Sequence, residues 1–365
     1  MENQEFREIA HSGGKIIIKV VTRPDGIRAY SMEFSHCRPV GVALYAVHIL
    51  PPGIPVGTAD LGGIGSPIDR GPVPGCFMAY IVSDSDAMFG QQCLQCNEYW
   101  RSKSSSRFCA YCGLRGESHN FLTEAHAPYI QQYSALYTEA INTPEDGEHV
   151  IDLDAVSDAL GSLQKPPFYY AEKSQQNKFE CRECGNVVDI LGRFGYCSLC
   201  GTRNDLQELE LKTLTAIRER INTTREYESC VRDAVAAFDS LTGVYVKELV
   251  KRVPLTNARK NRLESSRFHN LALVQQEIKS TFDIDLFSIV DTSDENFAVL
   301  TFHRRHVYEH SGGEAGEEYL KQSGDTSVRV KQALRETQET AHRIVGLVAK
   351  IAQGGFCILL IPNSS

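Results

Sequence analysis

The chain reads as a multidomain α+β protein: an N-terminal β-rich domain, two zinc ribbons of four cysteines each, and a C-terminal all-α helical bundle. Three observations predict this. Eight cysteines fall into two sets of identical spacing, apolar runs broken by Gly and Pro clusters fill the first ninety residues, and apolar positions three and four apart dominate after Leu206. The boundaries that follow are 1–90 for the β-rich domain, 91–145 for the first ribbon plus a helix, 146–205 for a linker helix and the second ribbon, and 206–365 for the bundle.

In the β-rich part, Lys15 to Thr22, Ile27 to Phe34, Val40 to Leu50 and Cys76 to Val82 alternate or run apolar as strands do. Pro51-Pro-Gly53 and Gly71-Pro-Val-Pro-Gly75 punctuate them. His36, beside Cys37, and His48, inside an apolar run, read as packed or surface residues rather than ligands. A helix is expected from Thr123 to Ile141, with Pro128 early enough to be tolerated in its first turns. Asn142 to Gly147 reads as a linker. A short strand and a helix to about Leu163 follow, and Gln164-Lys-Pro-Pro167 leads into the second ribbon.

Cys93, Cys96, Cys109 and Cys112 form the first cysteine set; Cys181, Cys184, Cys197 and Cys200 form the second. Each reads C-x2-C, twelve residues, C-x2-C. Two intervening residues let both sulfurs of a tight turn face one ion, and two such turns complete the tetrahedron zinc accepts. After the second cysteine of each turn the backbone must bend into the left-handed region, which Asn97, Gly113, Gly185 and Gly201 tolerate. Redox C-x2-C pairs normally occur singly, so the repeat favours two structural Zn2+ ions with closed, four-thiolate shells. Cys37, Cys76, Cys230 and Cys357 lack matched partners and read as buried small hydrophobes.

The totals agree with a modular protein of the cell interior. At 365 residues the chain is long enough for two or three domains, and with 42 % hydrophobic and 23 % charged residues no apolar stretch approaches a membrane span. The opening Met-Glu-Asn-Gln-Glu lacks the basic start and apolar region of a secretory signal, which predicts a cytoplasmic protein. A net charge of −8 argues against a non-specific nucleic-acid coat, although a local basic surface remains compatible with it.

Beyond Leu206, Thr223-x-x-Glu226 has the form of a capping box opening a helix whose apolar positions run from Tyr227 to Leu249, and Pro254 stops it. Further helices are expected over Arg262 to Lys279, from Asp294 through Arg304, and over Val328 to Ile351, making a four-helix bundle. The basic residues Lys251, Arg252, Arg259, Lys260, Arg262 and Arg267 around Pro254 suit either an RNA backbone or a solvated loop.

After the third of these helices the chain reads His303-Arg-Arg-His-Val-Tyr-Glu-His310, then Ser311-Gly-Gly313 and Tyr319-Leu320. Arg305 and His310 make an R-x4-H element. A guanidinium holds a phosphate in a planar fork and an imidazole exchanges protons near neutral pH, the two parts a metal-independent phosphodiester cleavage needs. From Thr223 to Pro362 the sequence resembles the HEPN superfamily, whose ribonuclease members carry R-x4-6-H late in a helical bundle. Ser311 departs from the asparagine common there. The resemblance implies a ribonuclease in which Arg305 binds the scissile phosphate, His310 is general base or acid for attack by the ribose 2′-hydroxyl, and His306 assists. Arg305 and His310, five residues apart, do not share a helix face, so either the helix ends between them, as Gly312 and Gly313 would allow, or two chains pool their motifs; the resemblance implies such a homodimer.

The leading expectation is therefore a metal-independent endoribonuclease, a toxin or defence effector, whose ribbons recognise a trigger, an RNA or a protein partner. The alternative is a non-catalytic zinc-binding adaptor for protein or nucleic acid, in which Arg305 and His310 serve an interface. Zinc catalysis is disfavoured by the closed ligand sets, and the chain holds no phosphate loop, H-E-x-x-H or nucleophile elbow.

Overall fold

The computed structural model describes residues 8–10, 14–36, 44–51, 53–60, 73–83, 86–123, 126–152, 171–265, 268 and 270–356. The chain divides into two compact units, Met1–Asn204 and Asp205–Ser365. The first is β-rich and carries the cysteines of both sets; the second is helical. No described helix is long and apolar enough to cross a membrane.

The first unit contains strands β1 (Glu8–Ala10), β2 (Gly14–Thr22), β3 (Arg28–His36), β4 (Leu44–Leu50), β5 (Ile54–Asp60), β6 (Phe77–Val82), β7 (Phe89–Gln92), β8 (Tyr99–Ser102), β9 (Gly147–Asp152), β10 (Ala171–Lys173), β11 (Asn177–Glu180) and β12 (Val187–Ile190). Two three-stranded antiparallel sheets, β3-β2-β9 and β5-β4-β6, pack with helix α1 (His126–Asn142). Alternation along β2 buries Ile16, Ile18 and Val20, which share one core with Val47 and Ile49 of β4 and with Ile130, Tyr133 and Ala140 of α1. Tyr133 donates its hydroxyl to the Met78 carbonyl at 3.1 Å, and Phe77 stacks on Tyr137 with ring centroids 4.5 Å apart. Arg28 places its guanidinium against the Ile141 carbonyl at the C-terminal end of α1, where the helix dipole favours a cation.

Strand β9 follows the expected linker and returns to pair with β2 in register from Lys15↔Asp152 to Val20↔Gly147, completing the N-terminal sheet. Strand β5 had no sequence expectation. The helix expected to run to Leu163, the Gln164–Pro167 entry, Cys37, Arg267 and Cys357 lie outside the described residues.

The ribbon hairpins β7-β8 and β11-β12 join into one four-stranded sheet, β11-β12-β8-β7. The central pair aligns Arg101 with Asp189. These two residues occupy the same place in the two repeats, so a pseudo-two-fold axis passes between them. The rest of the joint obeys it: Phe108 N–H donates to the Ser198 carbonyl at 2.9 Å and Tyr196 N–H to the Ala110 carbonyl at 2.7 Å. The Phe108 ring covers Gly201 while the Tyr196 ring covers Gly113, leaving no room for a β-carbon at either glycine without displacing the ring. On the axis the symmetry is broken by charge. Arg101 Nε lies 3.2 Å from Asp189 Oδ2 and its Nη2 3.0 Å from Asp86 Oδ2, with the Arg101 and Asp189 side chains 0 % and 3 % exposed.

The second unit opens with the turn Asp205–Gln207 and the π-helical segment Glu208–Thr213, and continues as α2 (Leu214–Thr223), α3 (Tyr227–Arg252), α4 (Asn257–Glu264), α5 (Leu271–Phe282), α6 (Thr292–His310), α7 (Glu317–Ser323) and α8 (Gln338–Phe356). Val231, Ala234, Val235, Phe238, Leu241 and Tyr245 of α3 pack with Ala298 and Phe302 of α6 and with Ile344, Val345, Val348 and Ile351 of α8 in one core. The expected capping box does not form: Thr223 belongs to α2, its hydroxyl donates to the Glu219 carbonyl, and Glu226 precedes α3 without a side-chain cap. The single helix expected over Arg262 to Lys279 is two, because Asn270 caps a new start by accepting from Leu273 N–H. The last helix begins ten residues later than expected from its apolar period. Residues 328–337 are held instead by Lys331 and Leu334 N–H donating to the Ala315 and Gly313 carbonyls, a tertiary pairing that outweighs local propensity.

Removing one member of a buried ion pair strands the other, at a cost of about 3–5 kcal/mol. Asp189→Ala is expected to lower the stability of the ribbon pair by that amount in urea unfolding followed through Trp100. A loss under about 1 kcal/mol would show that Arg101 finds its compensation elsewhere.

Candidate functional site

Four chain turns with one hydrogen-bond pattern build the two cysteine centres. Asn97, Gly113, Gly185 and Gly201 N–H donate to the Cys93, Cys109, Cys181 and Cys197 carbonyls at 2.8–3.1 Å, and all four have positive φ, from 59° to 80°. The same cysteines donate to the Glu98, Leu114, Asn186 and Thr202 carbonyls. Each turn thereby aims two sulfurs to one side, as the spacing predicts.

Within each set all four sulfurs lie within 4.8 Å of one another. The Sγ–Sγ distances Cys93–Cys112, Cys96–Cys109, Cys181–Cys200 and Cys184–Cys197 are 3.8, 3.6, 3.6 and 3.5 Å, and none of the eight cysteines is in a disulfide. Metal–thiolate bonds of about 2.3 Å in a tetrahedron separate sulfurs by about 3.8 Å, so the donor sets fit one ion each. Burial pushes the Cys112 and Cys184 thiols up to about 11, which would leave them protonated at neutral pH without a cation. A divalent ion held by the four sulfurs would replace those protons. Backbone N–H groups of Gln95 and Tyr111 point at the Cys93 and Cys109 sulfurs at 3.4 and 3.3 Å, supplying the outer hydrogen bonds that thiolates attract. Of the other cysteines, Cys230 is buried in the helical core and Cys76 is half-buried, and His48 is buried in the β-rich unit; none belongs to a metal-binding group among the described residues.

The second candidate lies at the end of α6. The helix runs unbroken through His310 and stops where Ser311 and Gly313 N–H both donate to the Val307 carbonyl, Gly312 and Gly313 taking φ of 57° and 85°. Arg305 and His310 therefore sit on one continuous helix about 140° apart in azimuth. Glu309 connects them: its Oε2 lies 2.9 Å from Arg305 Nη1 and 3.7 Å from His310 Nε2. The Arg305 side chain is 12 % exposed and its buried Nε has no hydrogen-bond partner among the described residues, whereas the His310 side chain is 59 % exposed. The His306 ring tilts against that of His310, centroids 4.6 Å apart. Partial burial, His310 and Arg305 together push the His306 pKa down, which keeps its imidazole neutral at pH 7.

Sequence reasoning passed over Arg304, yet this residue fixes the surroundings. Its guanidinium reaches Asp325 at 3.0 Å and Glu336 at 3.3 Å. Tyr319 donates to Asp325 and Tyr308 to Glu336, both at 2.6 Å. Burial works against charge here, but Glu336 and Asp325 hold Arg304 above its ordinary pKa. Burial likewise opposes ionisation of Asp325, and hydrogen bonds from Ser327, Tyr319 and Arg304 overcome it, holding the carboxyl down at about 2. The partners are distant in sequence, so no local pattern marked them. Of the basic residues around Pro254, Lys251 pairs with Glu248 at 2.7 Å and Arg262 with Glu277 at 3.3 Å, which neutralises part of that surface.

Comparison of the chain with protein-family models, with curated proteins and with solved structures yields no match. The class of protein is thus defined by its own geometry: paired four-cysteine centres on a shared sheet in one unit, and an Arg-Glu-His helix end in a helical unit.

Because the Asp325 carboxyl is held below its unfolded value of about 3.9, its share of stability is present above that pH and is lost as pH falls towards 2. Asp325→Asn is expected to be less stable than the wild type at pH 6 and to lose less stability between pH 5 and pH 2.5, measured by urea titration across pH. Parallel curves for the two proteins would show that Asp325 is not held in this way.

Proposed function

We propose that the protein is a zinc-binding, metal-independent endoribonuclease whose chemistry lies at the end of α6. The observation that carries the reading is the Glu309 carboxylate, one oxygen of which faces both Arg305 Nη1 and His310 Nε2. A phosphate oxygen offers the same acceptor chemistry to the same two groups, so the side chains are arranged to receive an anion.

In this reading Arg305 holds the scissile phosphate. One imidazole of the His306–His310 pair takes the proton of the ribose 2′-hydroxyl, O2′ attacks phosphorus, and the P–O5′ bond breaks as the other imidazole protonates the leaving oxygen. The products are a 2′,3′-cyclic phosphate and a 5′-hydroxyl, with no change of oxidation state. Neutral His306 suits the accepting role. The resemblance of this unit to HEPN ribonucleases supports the assignment. A homodimer belongs to it, since two α6 ends bring more of these groups to one phosphate than one helix does.

The four-cysteine centres hold structural zinc in this reading, each leaving no position for water. The joined ribbons are then a rigid recognition module for the RNA or for a protein that controls the nuclease. Metal analysis of the purified chain should give two zinc ions. Because the ribbons share a sheet and cover each other's glycines, Cys96→Ser and Cys184→Ser should each lower the unfolding midpoint of the module as a whole. Independent melting of one half would contradict the shared packing.

Total RNA incubated with the zinc-loaded protein in EDTA should be cut to fragments ending in cyclic phosphate, and Arg305→Ala and His310→Ala should each slow cleavage by about 10²- to 10⁴-fold. Failure of the wild type on both single-stranded and structured RNA, with zinc and fold intact, would favour the adaptor reading.

A further inference from the structure

Beside the Arg-Glu-His end, on the face of α6 that carries His303 and His306, a cavity of about 390 Å³ opens, and of its lining the proposed cleavage chemistry uses His306 alone. This volume falls in the range of about 300–1,000 Å³ typical of small-molecule sites. Leu271 and Phe302 give it apolar wall, and His303, His306, Asn270 and Gln322 bring polar atoms to it. His303 and His306 are three residues apart on α6 and so share a face, which is what turns both towards the space.

Glu318 apart, the polar groups are uncharged donors and acceptors. Burial, then the neighbouring His306, pushes the His303 pKa down, so its imidazole is neutral at pH 7 and offers one donor and one acceptor. The His303 side chain is half-buried and makes no hydrogen bond among the described residues. Asn270 spends its carbonyl oxygen on the Leu273 N–H, keeping its amide N–H groups, while Gln322 spends an N–H on Glu318 and keeps its carbonyl. Among the described residues no lysine or arginine lines the cavity, and the Glu318 carboxylate does. Such a lining repels a phosphate and suits a flat, uncharged, heteroatom-rich ring with donors and acceptors on its edge. Tyr319 closes one side, and its hydroxyl is fixed on Asp325, itself held by Arg304, so the wall is set in place before any ligand arrives.

The geometry points to a nucleobase-binding subsite: the cavity takes one base of the RNA strand while the adjoining phosphate lies at Arg305 and His310. The choice of ligand rests on the ribonuclease reading. His306 belongs to both places, lining the cavity and touching His310, so base capture and phosphate placement are coupled through one side chain. His303 is here a specificity residue; it does not touch the reacting atoms.

The test is calorimetric titration of the full-length, zinc-loaded chain with AMP, GMP, CMP and UMP, and with ribose 5-phosphate as the base-less probe. At least one nucleotide should bind about tenfold or more tightly than ribose 5-phosphate. His303→Ala should remove about tenfold of that preference, and Gln322→Ala, at a position away from the helical core, should reduce it without threatening the fold. Ribose 5-phosphate binding as well as every nucleotide, or an unchanged preference in both variants, would overturn the subsite. Binding does not depend on turnover, so the two readings separate. A base preference lost in His303→Ala while RNA stays uncut retains the subsite and removes the nuclease; cleavage that needs Arg305 with no base preference does the reverse.

Discussion

Arg101 and Asp189 face each other at the centre of the joined ribbon sheet, on the pseudo-two-fold axis between the repeats, and the ribbon pair is organised around that contact. Two four-cysteine modules could each close alone around an ion. What makes them one body is the pairing of β8 with β12, and that pairing buries an arginine and an aspartate that are tolerable only together. A perfect repeat would place like charges on the axis. Divergence at this one position converts a repulsion into a pair, with Asp86 taking the remaining guanidinium edge. The reciprocal covering of Gly113 by Tyr196 and of Gly201 by Phe108 extends the joint to a cysteine knuckle of each repeat.

The same logic of buried charge recurs in the helical unit. Arg304, Asp325 and Glu336 tie the segment between α7 and α8 to α6 and hold Tyr308 and Tyr319 in fixed positions. Next to this rigid network sits an arrangement with looser terms: Arg305 half-satisfied by Glu309, His310 largely in solvent, His303 facing a cavity without a hydrogen bond among the described residues. Rigid, fully paired groups supporting incompletely paired ones is the division expected of a site that must exchange its contacts for those of a ligand. Adjacent arginines thus differ in their surroundings: Arg304 is held between Asp325 and Glu336, whereas Arg305 pairs with Glu309 and is the one that the proposed function assigns to an anion.

Much of this was legible in the sequence because it depends on neighbours along the chain. C-x2-C spacing and the residue after each second cysteine determine the knuckle turns, and all four positive-φ positions fall where Asn97, Gly113, Gly185 and Gly201 stand. A β-branched apolar run marked β2, and the apolar repeat marked α3 and α6, since both are carried by residues within a single element. The Arg305–His310 string was equally visible, and the helix period alone states that its two ends point apart.

Tertiary structure decided what depends on residues far apart in sequence. The fusion of two ribbons into one sheet, the return of β9 to β2, the replacement of the start of the last helix by an irregular strap over residues 328–337, and the partners of Arg304 each join segments that no window of sequence contains together. Local pattern determines backbone geometry within a turn or an element. Which element covers which, and hence which charges are buried as pairs and where a cavity remains between helices, is set by packing the whole chain at once.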